Sequence, residues 1–592
     1  MFERVLVANR GEIAIRVMRT LREMGIVSIG VYSEADREAP HVGEADEAHL
    51  LGPPVPAESY LNVGKLLEAA AKAGAEAVHP GYGFLAENAE FAAACEDAGL
   101  TFIGPPASAI EAMGSKTRAR ELMSQAGVPI VPGTTSPVES VAEAKRQAKE
   151  IGYPVACKAA GGGGGKGFRV AASEKELKDA FEGASREGEK FFSDPSVYLE
   201  RYLEDPRHVE VQVLADAHGN VIHLGERDCS IQRRHQKLIE ESPAPHVDDG
   251  MRERIGKIAT DAATAVDYRS AGTVEGLQTG EDYFFLEMNT RVQVEHCVTE
   301  MVTGIDIVRE QLLIAAGEEL SVSQEDVELR GHAIECRINA EAAHKNFAPA
   351  PGRITSYREP GGPGVRIDSG VVAGSEVTPL YDPLIAKLIA WDTDRERATA
   401  RMLRALGEYE IGDLVTLVPF HRAILDTDQW RNAETCRDLI GDRKWLKSLE
   451  PSPEPSADAG GDQAAEPEGL DERTYQVEVD GRLHSVRVFG AAGASVNPGA
   501  GAGLRRPPRR ERAAVDGPRS SATETLVSPI QGTVLKVAVK DGDEVEDGAL
   551  ICVIEAMKME NEITADRPGK VSQLAVKEGA SVAAGDVIAK IE

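Results

Sequence analysis

The sequence predicts an α/β protein of several domains that ends in a small all-β one. Three observations carry this expectation. The chain has 592 residues, which at roughly 100–200 residues per domain is room for about three to five. The first 110 or so residues alternate short apolar runs with amphipathic stretches, the pattern of strands and helices around a mostly parallel sheet. The last 70 or so contain an internal repeat with strand-like alternation. Hydrophobic residues make up 42%, enough for several cores.

Charge and cysteine usage narrow the function. The chain has 66 Lys+Arg against 97 Asp+Glu, a formal net charge of −31. That excess argues against DNA, RNA or an anionic membrane as the main partner, but leaves room for a small anion in a local basic pocket. The opening Met1-Phe2-Glu3-Arg4-Val5-Leu6 does not read as a signal peptide. No stretch of about 18 apolar residues suggests a membrane span. The seven cysteines are scattered and none forms Cys-x-x-Cys, so reduced thiols in a cytoplasmic protein are expected.

Val5–Ala8 reads as the first strand, turned by Asn9-Arg10-Gly11 into the helix Ile13–Met24; Ile26–Tyr32 follows as a strand after Gly25. Ala77–Gly83 and Thr101–Pro105 read as further strand ends. Ligands of parallel sheets gather at the carboxyl ends of strands, which points to Asn9, Arg10 and His79–Gly83. Residues 115–330 continue as mixed α and β, and 331–445 carry strands and then helices. From Pro451 to Glu468 the composition becomes that of a linker. Residues 475–489 alternate apolar and polar residues around Asp480-Gly481 and predict a hairpin. Gly490–Thr523 is again linker-like; its basic strip Arg505–Arg512 reads as a solvated segment or a docking strip for an acidic partner.

The repeat runs from Gly532 to Ile551 and recurs 37 residues on, from Gly569 to Ile588. Two equal halves suggest a β-sandwich or flattened barrel with approximate two-fold symmetry. The link between them, Glu555–Asn561, then becomes an exposed turn carrying Lys558 between Met557 and Met559.

Two further stretches carry chemistry. Gly161–Gly165 with Lys166 follows the strand Tyr153–Lys158 but lacks the Ser/Thr and the spacing of a P-loop. It reads as a plain flexible loop or as one whose N–H groups wrap phosphate oxygens. Phe284–His296 begins as a strand. With period two, Glu287, Asn289, Arg291, Gln293 and Glu295 share one face if the chain stays extended. Such a face suits an active-site wall with carboxylates for a hard cation, where Glu275 joins Glu287, and with a cation and a base for an oxyanion. A structural salt-bridge network is the alternative.

Ala556-Met557-Lys558-Met559 resembles the biotin attachment site of biotinyl domains, over residues 524–592; lipoyl domains share the symmetric fold but normally lack the two methionines. Ile530 stands where that family usually has Met. Residues 1–445 resemble biotin carboxylase, an ATP-grasp enzyme, nearly end to end. The resemblance rests on Ala8–Ala14, His79–Asn88, Met113–Lys116, Lys158 with the glycine run, Pro206–Gln212, Glu226–Lys237, Glu287–His296 and Glu335–Glu341. It departs at Cys297, where Pro is usual, and at Gly276, where a larger apolar residue follows the metal glutamate.

The resemblance implies the finer fold: a Rossmann-like pre-ATP-grasp domain at 1–114, an ATP-grasp domain at 115–330 with a lid around 131–203, and a biotin carboxylase C-terminal domain at 331–446. A linker with a β-subunit docking hairpin at 475–489 spans 447–523, and a biotinyl barrel-sandwich domain spans 524–592. It implies that Lys116, Lys158, Gly163, Gly164, Glu200, Leu203, His208, Gln232 and His235 contact ATP. Glu275, Glu287 and Asn289 serve Mg²⁺, with Mn²⁺ as an alternative. Lys237, Arg291, Gln293 and Val294 hold bicarbonate, Glu295 is the general base, Arg337 stabilises the biotin enolate, and Lys558 bears biotin. The function implied is that of an acyl-CoA carboxylase α subunit working in fatty acid biosynthesis. Acetyl- or propionyl-CoA is the expected acceptor; a methylcrotonyl-CoA or urea carboxylase-like assembly is the alternative. Only about 80 residues separate the two regions, so the carboxyltransferase is expected on a separate β subunit. A biotin protein ligase, and homo-oligomers within a larger hetero-oligomer, complete the implied partners.

Overall fold

The computed structural model describes residues 1–134, 136–159, 167–192, 194–233, 236–449, 470–479, 482–491, 525–528, 532–546, 548–556, 559–565, 567–582 and 585–591. It forms two compact units, Met1–Glu454 with Glu524–Glu592, and Pro455–Thr523.

The first five strands, β1 (Arg4–Val7), β2 (Val27–Ser33), β3 (Glu47–Gly52), β4 (Ala77–His79) and β5 (Thr101–Phe102), form a parallel sheet in the order β3-β2-β1-β4-β5. The order reverses at β1, as in doubly wound sheets. Helix α1 (Gly11–Glu23) buries Ile13, Ala14, Val17, Met18 and Leu21. These pack with Leu214, Ile222 and Val292, so α1 seals this sheet against the next domain. At the carboxyl ends the expected ligand-facing side chains are engaged otherwise. Asn9 Nδ2 donates to the carbonyls of Pro80 and Tyr82, at 2.7 and 2.8 Å. Arg10 grips Asp36 through two hydrogen bonds of 2.6 Å. Gly81 has φ +63° and leaves only 2.9 Å between a would-be Cβ and Asn9 Nδ2. These residues hold the turn closed.

Strands β6 (Val155–Ala159), β7 (Phe168–Ala171) and β8 (Val197–Arg201) form a small antiparallel sheet, β7-β6-β8, packed by helices Val141–Ile151 and Glu174–Phe192. An eight-stranded antiparallel sheet then spans the centre. Its strands are β9 (Arg207–Ala215), β10 (Val221–Arg233), β11 (Gln236–Ser242), β12 (Ser270–Thr279), β13 (Asp282–Asn289), β14 (His332–Asn339), β15 (Val365–Ser369) and β16 (Leu384–Asp392). Their order is β13-β12-β9-β10-β11-β14-β16-β15. The ladder between β11 and β14, Ile239↔Cys336 through Ser242↔Ala333, carries the sheet without a break past residue 330.

The carboxy-terminal repeat folds into two four-stranded sheets. One runs Thr525–Val527, Val587–Ile591, Gly569–Leu574, Glu544–Val545; the other runs Met559–Thr564, Leu550–Ala556, Gly532–Val537, Ser581–Val582. Each half lends its two-residue strand to the sheet built mainly by the other, which produces the expected two-fold character. The core repeats at the same interval: Val534 with Val571, Ile551 with Ile588, Ile554 with Ile591, all buried. Its Glu562 accepts hydrogen bonds from Arg443 at 2.9 Å and Asn346 at 3.1 Å. Strands Leu550–Ala556 and Met559–Thr564 pair up to Ala556↔Met559; Met557 and Lys558 lie outside the described residues.

In the second unit, Leu470–Val479 pairs antiparallel with Arg482–Ala491, a hairpin longer at both ends than the expected 475–489. Its turn at Asp480-Gly481, the glycine run with Gly163 and Gly164, and His235 lie outside the described residues. All seven cysteines are buried and free. Among the described residues no helix is long and apolar enough to cross a membrane.

Candidate active site

Antiparallel register builds the site. Glu287 on β13 pairs with Glu275 on β12, Glu275 with Glu210 on β9, and Glu210 with Arg227 on β10. Directly opposed residues share a face with Cβ atoms about 5 Å apart, so three carboxylates and a guanidinium form one row across four strands. Like charges so placed repel unless cations join them. Lys237, near the start of β11, supplies one. Its Nζ lies 2.5 Å from Glu210, 2.9 Å from Glu275 and 2.6 Å from Glu295. Burial alone would lower its proton affinity, but the three carboxylates hold it well above the usual lysine value. Arg227, fully buried, donates to Glu210, Gln212, Thr299, Thr273 and Gln293 at 2.6–3.1 Å.

The polar stretch after Glu287 reaches the site by a different path from the extended one expected. Strand β13 ends at Asn289, and Glu295 is already the N-cap of helix α2 (His296–Thr303), with φ −83° and ψ 11°. The side chains nevertheless converge. Asn289 and Gln293 each donate to Glu275 Oε1 at 2.7 Å, and Arg291 donates to Asn289 at 3.0 Å. Glu87, from the first domain, fixes the turn by accepting from Thr290 N at 3.1 Å and Arg291 Nε at 2.9 Å. Val294 presents its carbonyl to Lys387 at 2.9 Å.

Glu295 sits between two cations, Lys237 at 2.6 Å and Arg337 at 2.9 Å. Burial would raise its proton affinity; Lys237, Arg337 and Arg227 outweigh burial and keep it far below the usual carboxylate range. Arg337, on β14, also donates to Glu240 at 2.6 Å. Lys237 and Arg337 stand on adjacent strands although 100 residues apart in sequence.

His208 lies 2.8 Å from Glu275, which raises its proton affinity against the opposing effect of burial. Gln232 is the ladder partner of Lys237. Lys158, Glu200 and Leu203 gather apart from this cluster, on and beside the small sheet. Lys158 donates to Glu200, which also takes Arg120 at 2.6 Å. The two regions are tied by residues 129–134: Phe285 N donates to Pro129 O at 2.8 Å, and Gly133 bridges to Glu200. Lys116 opens the helix Lys116–Gln125.

Glu275, Glu287 and Asn289 offer hard oxygen donors at neighbouring positions of one row, a set that fits a divalent cation such as Mg²⁺. Both departures from the family pattern are absorbed locally. A Cβ on Gly276 would stand 2.1 Å from the Tyr283 ring, so that buried tyrosine fills the space a larger residue would take. Cys297, fully buried, donates to Asp368 at 3.1 Å. Glu87, Glu210, Arg227 and Glu240 are members of the site that the sequence patterns do not single out. An arginine inside the apolar strand β10 is the one signal that points to them.

Family models match four stretches: biotin carboxylase, N-terminal domain (1–110), carbamoyl-phosphate synthase L chain, ATP binding domain (115–323), biotin carboxylase C-terminal domain (335–442) and biotin-requiring enzyme (524–591). One of the two subunit types named for pyruvate carboxylase in Methanothermobacter thermautotrophicus is 56% identical over 434 residues, 73% of this chain and 88% of that protein. The biotin-dependent acyl-coenzyme A carboxylase alpha3 subunit of Mycobacterium leprae is 46% identical over 598 aligned residues, 100% of this chain and 98% of that one. The crystal structure of the Hydrogenobacter thermophilus 2-oxoglutarate carboxylase biotin carboxylase domain dimer, with MgADP, ADP and bicarbonate, superimposes with a TM-score of 0.71 at 50% identity. It covers 76% of this chain and 100% of that one.

Proposed function

The chain belongs to the α subunits of biotin-dependent acyl-CoA carboxylases, with an ATP-dependent biotin carboxylase and a biotin-accepting domain on one polypeptide, and from that premise we propose how its residues work and which acceptor it serves. The observation that carries the proposal is Glu295 held between Lys237 and Arg337 at the end of a carboxylate row.

ATP with Mg²⁺ supplies an electrophilic γ-phosphoryl group for bicarbonate. Glu275, Glu287 and Asn289 would hold the cation. His208, Gln232 and His235, with Lys116, Lys158, Gly163, Gly164, Glu200 and Leu203 from the lid side, would take the nucleotide. Bicarbonate, a weak nucleophile, lies against Arg291, Lys237, Gln293 and the backbone of Val294, with Glu295 in reach of its proton. A carboxylate so strongly stabilised is a poor base on its own. The incoming anion competes for Lys237, and that competition raises the proton affinity of Glu295 when it must accept the proton. Arg337, on the neighbouring strand, then faces the biotin ureido group and offsets the charge it develops.

The carboxyl group then passes to an acyl-CoA, acetyl- or propionyl-CoA, on a separate carboxyltransferase chain within a larger cytoplasmic assembly, with biotin placed on Lys558 by a biotin protein ligase. Supporting this is the Mycobacterium leprae acyl-coenzyme A carboxylase protein, which matches the whole chain including the carrier region; the Methanothermobacter pyruvate carboxylase protein matches 73% of it. The test is co-purification of the partner followed by turnover with acetyl-, propionyl- and methylcrotonyl-CoA, and with pyruvate and urea. Faster turnover of acetyl- or propionyl-CoA than of the other three is expected. Preference for any of those three would overturn the acceptor assignment.

A further inference from the structure

Behind Arg337 lies a carboxyl pair that the reaction just described leaves unused. Glu240 on β11 and Glu335 on β14 stand directly opposite each other in the antiparallel ladder, and both are fully buried. One Glu240 oxygen accepts from Arg337 at 2.6 Å. The other Glu240 oxygen and both Glu335 oxygens have no hydrogen-bond partner among the described residues. Opposed side chains on a ladder start about 5 Å apart at Cβ, so the two carboxyls meet. A buried acceptor without a donor is costly, and two buried carboxylates in contact cannot both ionise.

The neighbours do not relieve the pair. Lys387 on β16 is already committed to Glu12 at 3.2 Å and to the Val294 carbonyl at 2.9 Å, with Asp368 at 3.7 Å. Arg337 is shared between Glu240 and Glu295, and Lys237 serves Glu210, Glu275 and Glu295. His296 and Cys297 at the start of α2 are buried, as are Cys229 on β10, Cys336 on β14 and His421, whose ring meets the Arg337 carbonyl at 2.7 Å. Burial pushes Glu240 up to about 7, with the charge on Glu295 adding to it; burial likewise lifts Glu335 well above the usual carboxylate range.

We propose that Glu240 and Glu335 share a proton across the ladder, as an acid–carboxylate pair, and so keep the positive charge of Arg337 available to the biotin anion. The inference rests on the assignment of Arg337 to biotin. One shared proton turns orphaned acceptors into a donor–acceptor bond. If the pair lost that proton, Arg337 would face two charges from it in addition to Glu295, and its field at the substrate would be cancelled. The two glutamates act through Arg337 and are positioning residues.

The test is Glu335→Gln, whose amide donates to Glu240 permanently and cannot titrate. Wild-type biotin carboxylation is expected to fall as pH rises above neutrality, and in the variant this alkaline limb is expected to vanish. An infrared band of a protonated, deuterium-sensitive carboxyl is expected in the wild type at mildly alkaline pH and not in Glu335→Gln. Glu335→Leu, which gives Glu240 no donor, is expected to lose about 10- to 100-fold in kcat with half-saturating ATP unmoved. An alkaline limb shared by wild type and Glu335→Gln, or a protonated-carboxyl band that survives the substitution, would overturn the proposal. The infrared measurement stands apart from the role of Arg337. Should Arg337→Ala keep full biotin carboxylation, the assignment of Arg337 fails while the band still reports on the pair.

Discussion

Glu295 concentrates the chemistry into one side chain: a carboxylate 2.6 Å from an ammonium and 2.9 Å from a guanidinium, 1% exposed. Glu295→Gln keeps the shape and removes the base, so bicarbonate-dependent ATP cleavage with free biotin should fall by about 10²–10⁴ while ATP still binds. Near-normal turnover in steady-state kinetics would rule the base assignment out. Arg337 makes a contrasting case. It touches Glu240 and Glu295 but neither His208 nor the Lys158–Glu200 pair through any hydrogen bond. Arg337→Ala should therefore slow biotin carboxylation by about 10²-fold or more with nucleotide affinity little changed. Equal losses in turnover and in a nucleotide titration would mark Arg337 as a structural residue.

At the scale of elements, local patterns were legible and register was not. The strands and helices of the first domain, the repeat and its buried positions follow from alternation, turn residues and spacing, all encoded within a few residues. The row Glu287–Glu275–Glu210–Arg227 depends on how four strands slide against one another, which no single segment encodes. The same holds for Lys237 beside Arg337. The extended face expected through Glu295 was right in its residues and wrong in its path, because the chain leaves the sheet after Asn289 and turns into α2. Asn9 and Arg10 sit at the strand ends as expected, yet their hydrogen bonds are spent on the turn. Gly276 shows how a departure is absorbed. The ladder bulges between Glu275 and Gly276, and Tyr283 occupies the space above the glycine. Gly276→Ala should cost about 1–3 kcal/mol, because the ring is buried and has nowhere to move. An unchanged denaturation midpoint would show that Tyr283 repacks freely.

At the scale of the molecule, buried histidines tie stability to pH. Burial lowers His41, His79 and His421 to about 4. Unfolded, they titrate near 6.5. Between those values the unfolded chain binds more protons, so their contribution is present above about pH 6.5 and is lost as pH falls towards 4. The carboxylates of Glu275 and Glu295, held ionised in the fold, continue the loss at lower pH. The thermal midpoint should decline across that window, and a flat profile would contradict the burial of these rings. The carrier domain adds the last requirement, that chemistry at Glu295 and Arg337 reach a lysine in the carboxy-terminal repeat. One measurement tests the whole arrangement: the chain, biotinylated during expression, is incubated with ATP, Mg²⁺ and isotopically labelled bicarbonate, and the label is located by peptide mass spectrometry. Label on the Lys558 peptide of the wild type, absent without ATP and absent from Glu295→Gln and Lys558→Arg, is the predicted result. Label that persists in Glu295→Gln, or that maps to another lysine such as Lys536 or Lys570, would contradict it.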